Sequence, residues 1–295
     1  MNFTGRFGYI YVALAAVLWA SSGNASKYLF NSGVSPFELV QLRTTIAAAA
    51  LLSGLAVWRP SLLKISMKDL PGFLLLGISL ALVQFTYLFA ISKIQVAAAI
   101  LLQYQSPVFI ALYVYIVYRR NIGLLTTASI AGAIGGCYLV VGAYSLDILH
   151  MNKEGIISAL VCAIAFSWYS LQSEHSMLRY EPWTILSYAL FFAACIWSIL
   201  HPPFAAFTHN YTSDSWFWIF FVGILGTVLP FGFYNKGISL IKPTHASITA
   251  TLEPIIAGVI AYSFLGETVE LLQILGASIV VLSIVLLQIS KSERA

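Results

Sequence analysis

The sequence predicts an all-α integral membrane protein, ten transmembrane helices in two inverted five-helix repeats. Three observations carry that prediction. Of 295 residues, 60% are hydrophobic and 9% charged, against roughly 25% charged in a soluble domain. The apolar residues gather in runs of about 20, the length that crosses a bilayer core. The second half of the chain also echoes the first at a nearly constant offset.

Runs and breaks give each helix in turn, the breaks falling at Gly, Pro and charged residues. The first, 7–30, follows Arg6. Its apolar run continues without an Ala-x-Ala site in the right place, so it reads as a helix and not a cleaved leader. It stops at Asn31-Ser32-Gly33, and the second, 36–58, runs to Arg59-Pro60. The third, 70–91, begins around Pro71-Gly72. The fourth, 95–118, ends at Arg119-Arg120-Asn121. The fifth, 123–143, carries Gly132 and Gly136, a GxxxG spacing that reads as close helix contact. Glu181-Pro182 divides the sixth, 154–173, from the seventh, 182–200, which stops at His201-Pro202-Pro203. Lys242-Pro243 divides the eighth, 215–236, from the ninth, 244–265. Gly266-Glu267 precedes the tenth, 269–289. Cys137, Cys162 and Cys195 are scattered singly in apolar segments and read as small hydrophobes.

Orientation follows from Lys and Arg, which accumulate on the cytoplasmic side. With the N-terminus inside, the inner segments hold Arg6, Arg59, Lys64, Lys68, Arg119, Arg120, Arg179, Lys236, Lys242, Lys291 and Arg294. The outer side holds only Lys27, Lys93 and Lys153. Both termini are therefore expected in the cytoplasm. This topology also accounts for the net charge of +4, which is no nucleic-acid signal.

Residues 90–107 read AISKIQVAAAILLQYQSP and residues 237–254 read GISLIKPTHASITATLEP. Ile91/Ile238, Ser92/Ser239, Ile94/Ile241, Ala99/Ala246 and Pro107/Pro254 match at an offset of 147, as do Gly8 and Gly155. The chain thus divides into 1–147 and 148–295. Five helices per unit is odd, so the second unit enters the membrane from the opposite side. Inverted repeats of this kind mark secondary transporters that alternate their access.

Several motifs carry a family resemblance: Leu18-Trp19-Ala20-Ser21, Arg43, Pro107, Leu252-Glu253-Pro254, Leu265-Gly266-Glu267 and Gly276. With these, the whole chain resembles the drug/metabolite transporter superfamily in its EamA branch. The first half departs from the pattern, with Gln105-Ser106-Pro107 and Tyr118-Arg119-Arg120 where the second has LEP and LGE. The resemblance implies a carrier of small organic solutes in the inner (plasma) membrane. Family members handle amino acids, amines, sugars and other metabolites, many as exporters.

Pro107 and Pro254 lack an N–H, so each frees the carbonyl four residues back, Gln103 and Ala250. Matching helix interruptions in two halves point to a site near the midplane. Glu253 lies about 14 Å into its helix, where a carboxylate costs roughly 2.5–3.5 kcal/mol. It should therefore face the interior and find a partner. His245, Thr249 and Glu253 share a helix face at i, i+4, i+8. Pro107, His245, Glu253 and Pro254 are the candidates for gating or coupling, with a proton on Glu253 as candidate coupling ion. A packing kink or a hydrogen-bonded structural acid is the bland alternative. Candidate substrate-binding residues are Arg43 and Thr249, the amides Asn24, Gln84, Gln103 and Gln172, and the aromatics Trp19, Tyr87, Tyr104, Trp168, Tyr169, Tyr188 and Tyr234. Rings with neutral hydrogen-bonders suit an organic solute with an apolar body, or a cation held on ring faces. Most rings in so aromatic a chain must face lipid or neighbouring helices.

No HExxH, GK[ST] or GxSxG motif indicates an intramembrane enzyme. A channel would want charge rings or carbonyl filters. The reading is a monomeric carrier in contact with membrane lipid, without a cofactor. It exports an amino acid or related amine, preferably bulky or aromatic; a sugar or a drug-like cation is the alternative.

Overall fold

A computed structural model describes residues 3–119, 121–145, 152–200, 205–265 and 270–289. Among these the fold is all-helical, with twelve α-helices: α1 Phe3–Asn31, α2 Pro36–Trp58, α3 Leu70–Lys93, α4 Val96–Gln103, α5 Ser106–Ile116, α6 Leu124–Val140, α7 Lys153–Ser176, α8 Pro182–Leu200, α9 Ser213–Gly223, α10 Leu229–Ala250, α11 Leu252–Leu265 and α12 Leu271–Ile289. A π-helical turn, Ile224–Val228, joins α9 to α10. Among the described residues, six stretches are long and apolar enough to cross a membrane: Pro36–Trp58, Met67–Lys93, Val96–Ile116, Lys153–Ser176, Pro182–Leu200 and Ser213–Ala250. Leu124–Val140 and Leu271–Leu286 are shorter apolar helices.

Three expected helices are interrupted, and two are joined. The expected fourth breaks at Tyr104-Gln105 into α4 and α5, and the expected ninth breaks at Thr251. In each case a proline three residues further on cannot donate to the carbonyl four residues before it. The expected eighth is interrupted by the π turn. It then continues without a loop into the ninth, where Lys242 turns the corner at φ 68, ψ 158. Of the expectations above, Arg120, Lys291, Arg294, His201-Pro202-Pro203 and Gly266-Glu267 lie outside the described residues.

The α1–α2 connection shows how local chemistry fixes a short turn. Gly33 takes φ 92, the left-handed region open to glycine. Val34 N–H then reaches the carbonyl of Leu29 (3.0 Å) and Gly33 N–H that of Phe30 (3.1 Å), the paired bonds of a Schellman stop. Ser35 at once begins α2 with a capping box, its hydroxyl accepting from Glu38 N–H and its own N–H donating to the Glu38 carboxylate. Ser35→Ala is expected to lower stability by about 1 kcal/mol, read as a fall in the thermal-unfolding midpoint.

The helices pack as α1 on α10, α3 on α7 and α8, α2 on α8 and α9, and α6 on α12. Glycines mark the closest crossings. A Cβ on Gly136 would stand 2.8 Å from the carbonyl oxygen of Gly276, and a Cβ on Gly276 would stand 2.7 Å from that of Gly136. The GxxxG of α6 therefore makes an internal contact with α12. Two other contacts recur at the sequence offset. A Cβ on Gly8 would meet Ile241 Cγ2 at 2.6 Å and Leu240 Cβ at 3.0 Å; on Gly155 it would meet Ile94 Cγ2 at 2.7 Å and Lys93 Cβ at 3.0 Å. Gly77 abuts Phe192 and the carbonyl of Ala189, while Gly223 abuts Ile46 and the carbonyl of Arg43.

The segment between α2 and α3 is strapped to α7 and α8. Arg179 pairs with Asp69 at 3.0 Å, Tyr180 donates to the same carboxylate at 2.6 Å, and Thr184 and Tyr188 donate to the carbonyls of Leu62 and Leu63. Cys137 and Cys162 are buried, Cys195 half-buried, and all three are free thiols.

Candidate substrate site

Where the helix breaks meet, a small cavity of about 40 Å³ lies in the core, room for a few waters and well below the usual range for small-molecule sites. Trp19, Ser22 and Gly23 of α1 line it, with Arg43 of α2, Val83, Gln84 and Tyr87 of α3, Gln103 of α4, Phe166 of α7, Phe231 of α10 and Glu253 of α11. One side is aromatic. Trp19 packs edge-on against Phe231 at 5.2 Å and Phe166 at 5.9 Å, with Tyr234 behind at 5.4 Å.

The polar lining is unusual for a membrane interior because much of it lacks partners. Both amide atoms of Gln84, the hydroxyl of Tyr87 and Oε1 of Gln103 are buried and make no hydrogen bond among the described residues. Leaving a buried polar group unsatisfied costs about 1–3 kcal/mol. Gln84→Leu is therefore expected to raise the stability of the empty protein by about 1 kcal/mol while abolishing the thermal shift produced by a polar ligand.

Two ionisable side chains, one basic and one acidic, face the same cavity. Arg43 is 4% exposed; Nε donates to Thr227 Oγ1 at 3.0 Å and Nη2 to the carbonyl of Gly226 at 3.1 Å. Nη1 has no partner among the described residues, and the guanidinium pairs with no carboxylate. Glu253 is 3% exposed and accepts from the Tyr104 hydroxyl at 2.7 Å. Its other oxygen has no hydrogen-bond partner among the described residues. Tyr87 lies within electrostatic range of both charges.

Of the residues singled out from sequence, the structure brings Trp19, Arg43, Gln84, Tyr87, Gln103 and Glu253 to this cavity, with Tyr104 bound to Glu253. The others lie elsewhere. Asn24 is exposed and donates to the carbonyl of Ala20. Trp168, 39% exposed, packs edge-on against Tyr113. Gln172 and Tyr188 bind the carbonyls of Gly72 and Leu63. Tyr169 and Tyr234 are buried behind the aromatic wall, bonded to Asn235 and Ser170. Thr249 folds back on the carbonyl of His245 at 2.7 Å, and His245 Nδ1 meets the Tyr9 hydroxyl at 2.7 Å. Because the helix breaks at Thr251, the stripe from His245 to Glu253 is bent.

Sequence reasoning missed Phe166 and Phe231, which nothing distinguishes within their apolar runs. It also missed Gly226 and Thr227, for which a signal existed. Pro230 denies Gly226 its α-helical hydrogen bond, just as Pro107 and Pro254 do for their own carbonyls.

The model of the EamA-like transporter family matches residues 6–142 and, a second time, 153–289. The chain belongs to this family. As an EamA transporter it is a multi-pass inner-membrane protein, and a transporter rather than an enzyme. Among curated relatives, it is 28% identical over 296 residues to the uncharacterized inner membrane transporter YicL of Salmonella typhimurium LT2, covering 98% of each chain. It is 27% identical to an uncharacterized transporter of Archaeoglobus fulgidus, covering 95% of this chain and 96% of that one. It is 22% identical to the threonine/homoserine exporter RhtA of Escherichia coli K12, covering 92% of this chain and 86% of RhtA. One protein crystal structure, 18% identical, shares the fold with a TM-score of 0.76 over 95% of each chain.

Proposed function

We propose that this EamA transporter exports an amino acid, bulky or aromatic, by alternating access about the central cavity. Arg43 and Glu253 carry the reading: opposite charges on one small cavity, each buried, and not paired with each other. A buried charge without a partner is costly, and a zwitterion satisfies both at once, its carboxylate on the guanidinium and its ammonium on Glu253. Gln84, Tyr87 and Gln103 offer further hydrogen bonds, and Trp19, Phe166 and Phe231 offer an apolar wall for the side chain. That RhtA is an amino acid exporter supports this only weakly at 22% identity.

Ten spans in two inverted halves, 1–147 and 148–295, with both termini in the cytoplasm, complete the proposal. The doubled family match and the glycine contacts that recur across the halves support it. Pro107 and Pro254 serve as the hinges, His245 with Tyr9 closes the inner mouth, and Glu253 exchanges a proton for cargo. The unit is a monomer.

A second reading has one observation in its favour. The aromatic wall and Glu253 alone would hold an organic cation. A thermal-shift assay of the purified full-length protein separates the two, since a ligand that binds only the folded state raises its stability. L-phenylalanine is expected to stabilise the wild type and to fail with Arg43→Ala. Equal stabilisation by phenethylamine and L-phenylalanine would favour the cation reading; a response to sugars alone would sink both.

A further inference from the structure

A groove of about 500 Å³ lies between α2, α8 and the π turn. Leu51, Gly54 and Leu55 of α2, Ile224 and Val228 of the π turn and Trp183 of α8 line it, and its walls are apolar except at one end. There the lining passes to Trp58 and Arg59. Trp58 is 82% exposed. Arg59 is exposed too, and its guanidinium makes no hydrogen bond or ion pair among the described residues. The groove follows α2, a span long and apolar enough to cross a membrane, from Ala50 to the cap at Arg59. Nine residues of helix cover about 14 Å, close to one leaflet of a hydrocarbon core about 30 Å thick. The end of such a span lies at the headgroup level, where tryptophan gathers. Apolar surface of this extent inside a bilayer is covered by lipid chains and not by water.

We propose that this groove is a specific site for an anionic phospholipid, its phosphate on Arg59 and one acyl chain lying along α2 down to the π turn. The charge fits, because a guanidinium takes phosphate oxygens two at a time. The α2–α3 connection adds Lys64 and Lys68, both exposed and without an ion pair among the described residues. The acid of this connection, Asp69, is already held by Arg179 and Tyr180. Basic residues at the end of a span attract negative headgroups. Gly54 keeps the groove open: a Cβ there would meet only the Trp58 ring, at 3.4 Å. The site depends on neither the nature of the cargo nor the direction of transport. It meets the central cavity at the π turn, which gives Ile224 and Val228 to the groove and the Gly226 carbonyl to Arg43. The lipid chain thus lies against the turn that anchors Arg43.

Native mass spectrometry of the purified full-length protein, given equal amounts of palmitoyl-oleoyl phosphatidylglycerol and palmitoyl-oleoyl phosphatidylcholine, tests this. The wild type is expected to retain phosphatidylglycerol in roughly fivefold preference, the effect of a cation beside a negative headgroup. Arg59→Gln is expected to weaken that retention about tenfold, the loss of a charge-assisted contact, and to erase the preference. Gly54→Leu fills the groove and is expected to retain neither lipid. Its thermal-unfolding midpoint in detergent is expected to stay at or above that of the wild type, since a helix tolerates leucine better than glycine. Glycerol 3-phosphate, which has the phosphate and no chain, is expected not to compete. Equal retention of the two lipids by the wild type, or retention unchanged in Arg59→Gln or in Gly54→Leu, would mean an unspecific lipid coat and overturn the site. Competition by glycerol 3-phosphate would make Arg59 a free-phosphate site and remove the chain from the groove. A dimer that Gly54→Leu dissociates would place a second copy of the chain there instead of a lipid.

Discussion

Glu253→Ala is expected to reduce transport by at least about a hundredfold, the cost of leaving a buried charge without its partner. The deletion removes the one carboxylate among the described residues lining the cavity, so the cargo's ammonium would enter without a counter-charge. It also strands the Tyr104 hydroxyl, which is buried and donates to Glu253 at 2.7 Å, at about 1–3 kcal/mol for an unsatisfied polar group. Glu253→Gln separates these effects. Its amide oxygen still accepts from Tyr104, so the unfolding temperature is expected to hold near wild type while transport falls. The neutral amide takes no proton, so any pH dependence of transport in proteoliposomes is expected to flatten. Wild-type pH dependence persisting in Glu253→Gln would remove Glu253 from the coupling path and leave it a cargo ligand only.

The second large effect is on folding. Gly276→Leu is expected to destabilise the protein by at least about 3 kcal/mol, the upper end for overpacking a close contact. A Cβ would strike the Cβ of Leu139 at 2.6 Å, the carbonyl oxygen of Gly136 at 2.7 Å and the N–H nitrogen of Val140 at 2.8 Å. Two of these are backbone and the third is fixed to it, so none can rotate away. Relief requires α6 and α12 to separate, which dismantles the cluster of Ala133, Ile130, Val280 and Ile284 around them. Because lipid is as apolar as leucine, close packing carries much of the hold between these helices, beside the hydrogen bond from Gln273 to the carbonyl of Val140 at 3.2 Å. A fall in the thermal-unfolding midpoint with poor detergent extraction is the expected measurement; a wild-type midpoint would show that the α6–α12 crossing is looser than this geometry.

Much of this was legible in the residues. Long apolar runs gave the helices because a bilayer leaves few other structures for a spanning chain. Pro107 and Pro254 located the breaks, and Arg43 and Glu253 drew attention as charges where charge is expensive. What escaped notice depended on tertiary contact. Whether a tyrosine faces a cavity or a neighbour is set by helix rotation, which composition does not encode. Tyr87 and Tyr188 are indistinguishable in sequence, yet one has an unpartnered hydroxyl at the cavity and the other ties down a loop carbonyl. The π turn escaped because one residue too many in a helix leaves no periodic trace in so apolar a run. The smooth passage from α9 through α10 escaped because Lys242-Pro243 reads as a loop, and one residue at φ 68 suffices to turn the corner.

The glycine contacts that recur between the halves carry a consequence for the energy of the transport cycle. Were the two halves identical, the inward-facing and outward-facing forms would be mirror uses of the same contacts and equally populated. Every departure from identity is then a weight on one side of that equilibrium. Gly8 against Ile241 and Gly155 against Ile94 are nearly balanced; Glu253 against Ser106, its counterpart one residue before Pro107, is not. Under the proposed alternating access, the resting orientation of the empty transporter follows from the differences between its halves, and a methyl group added at Gly8 or at Gly155 is expected to tilt it in opposite directions.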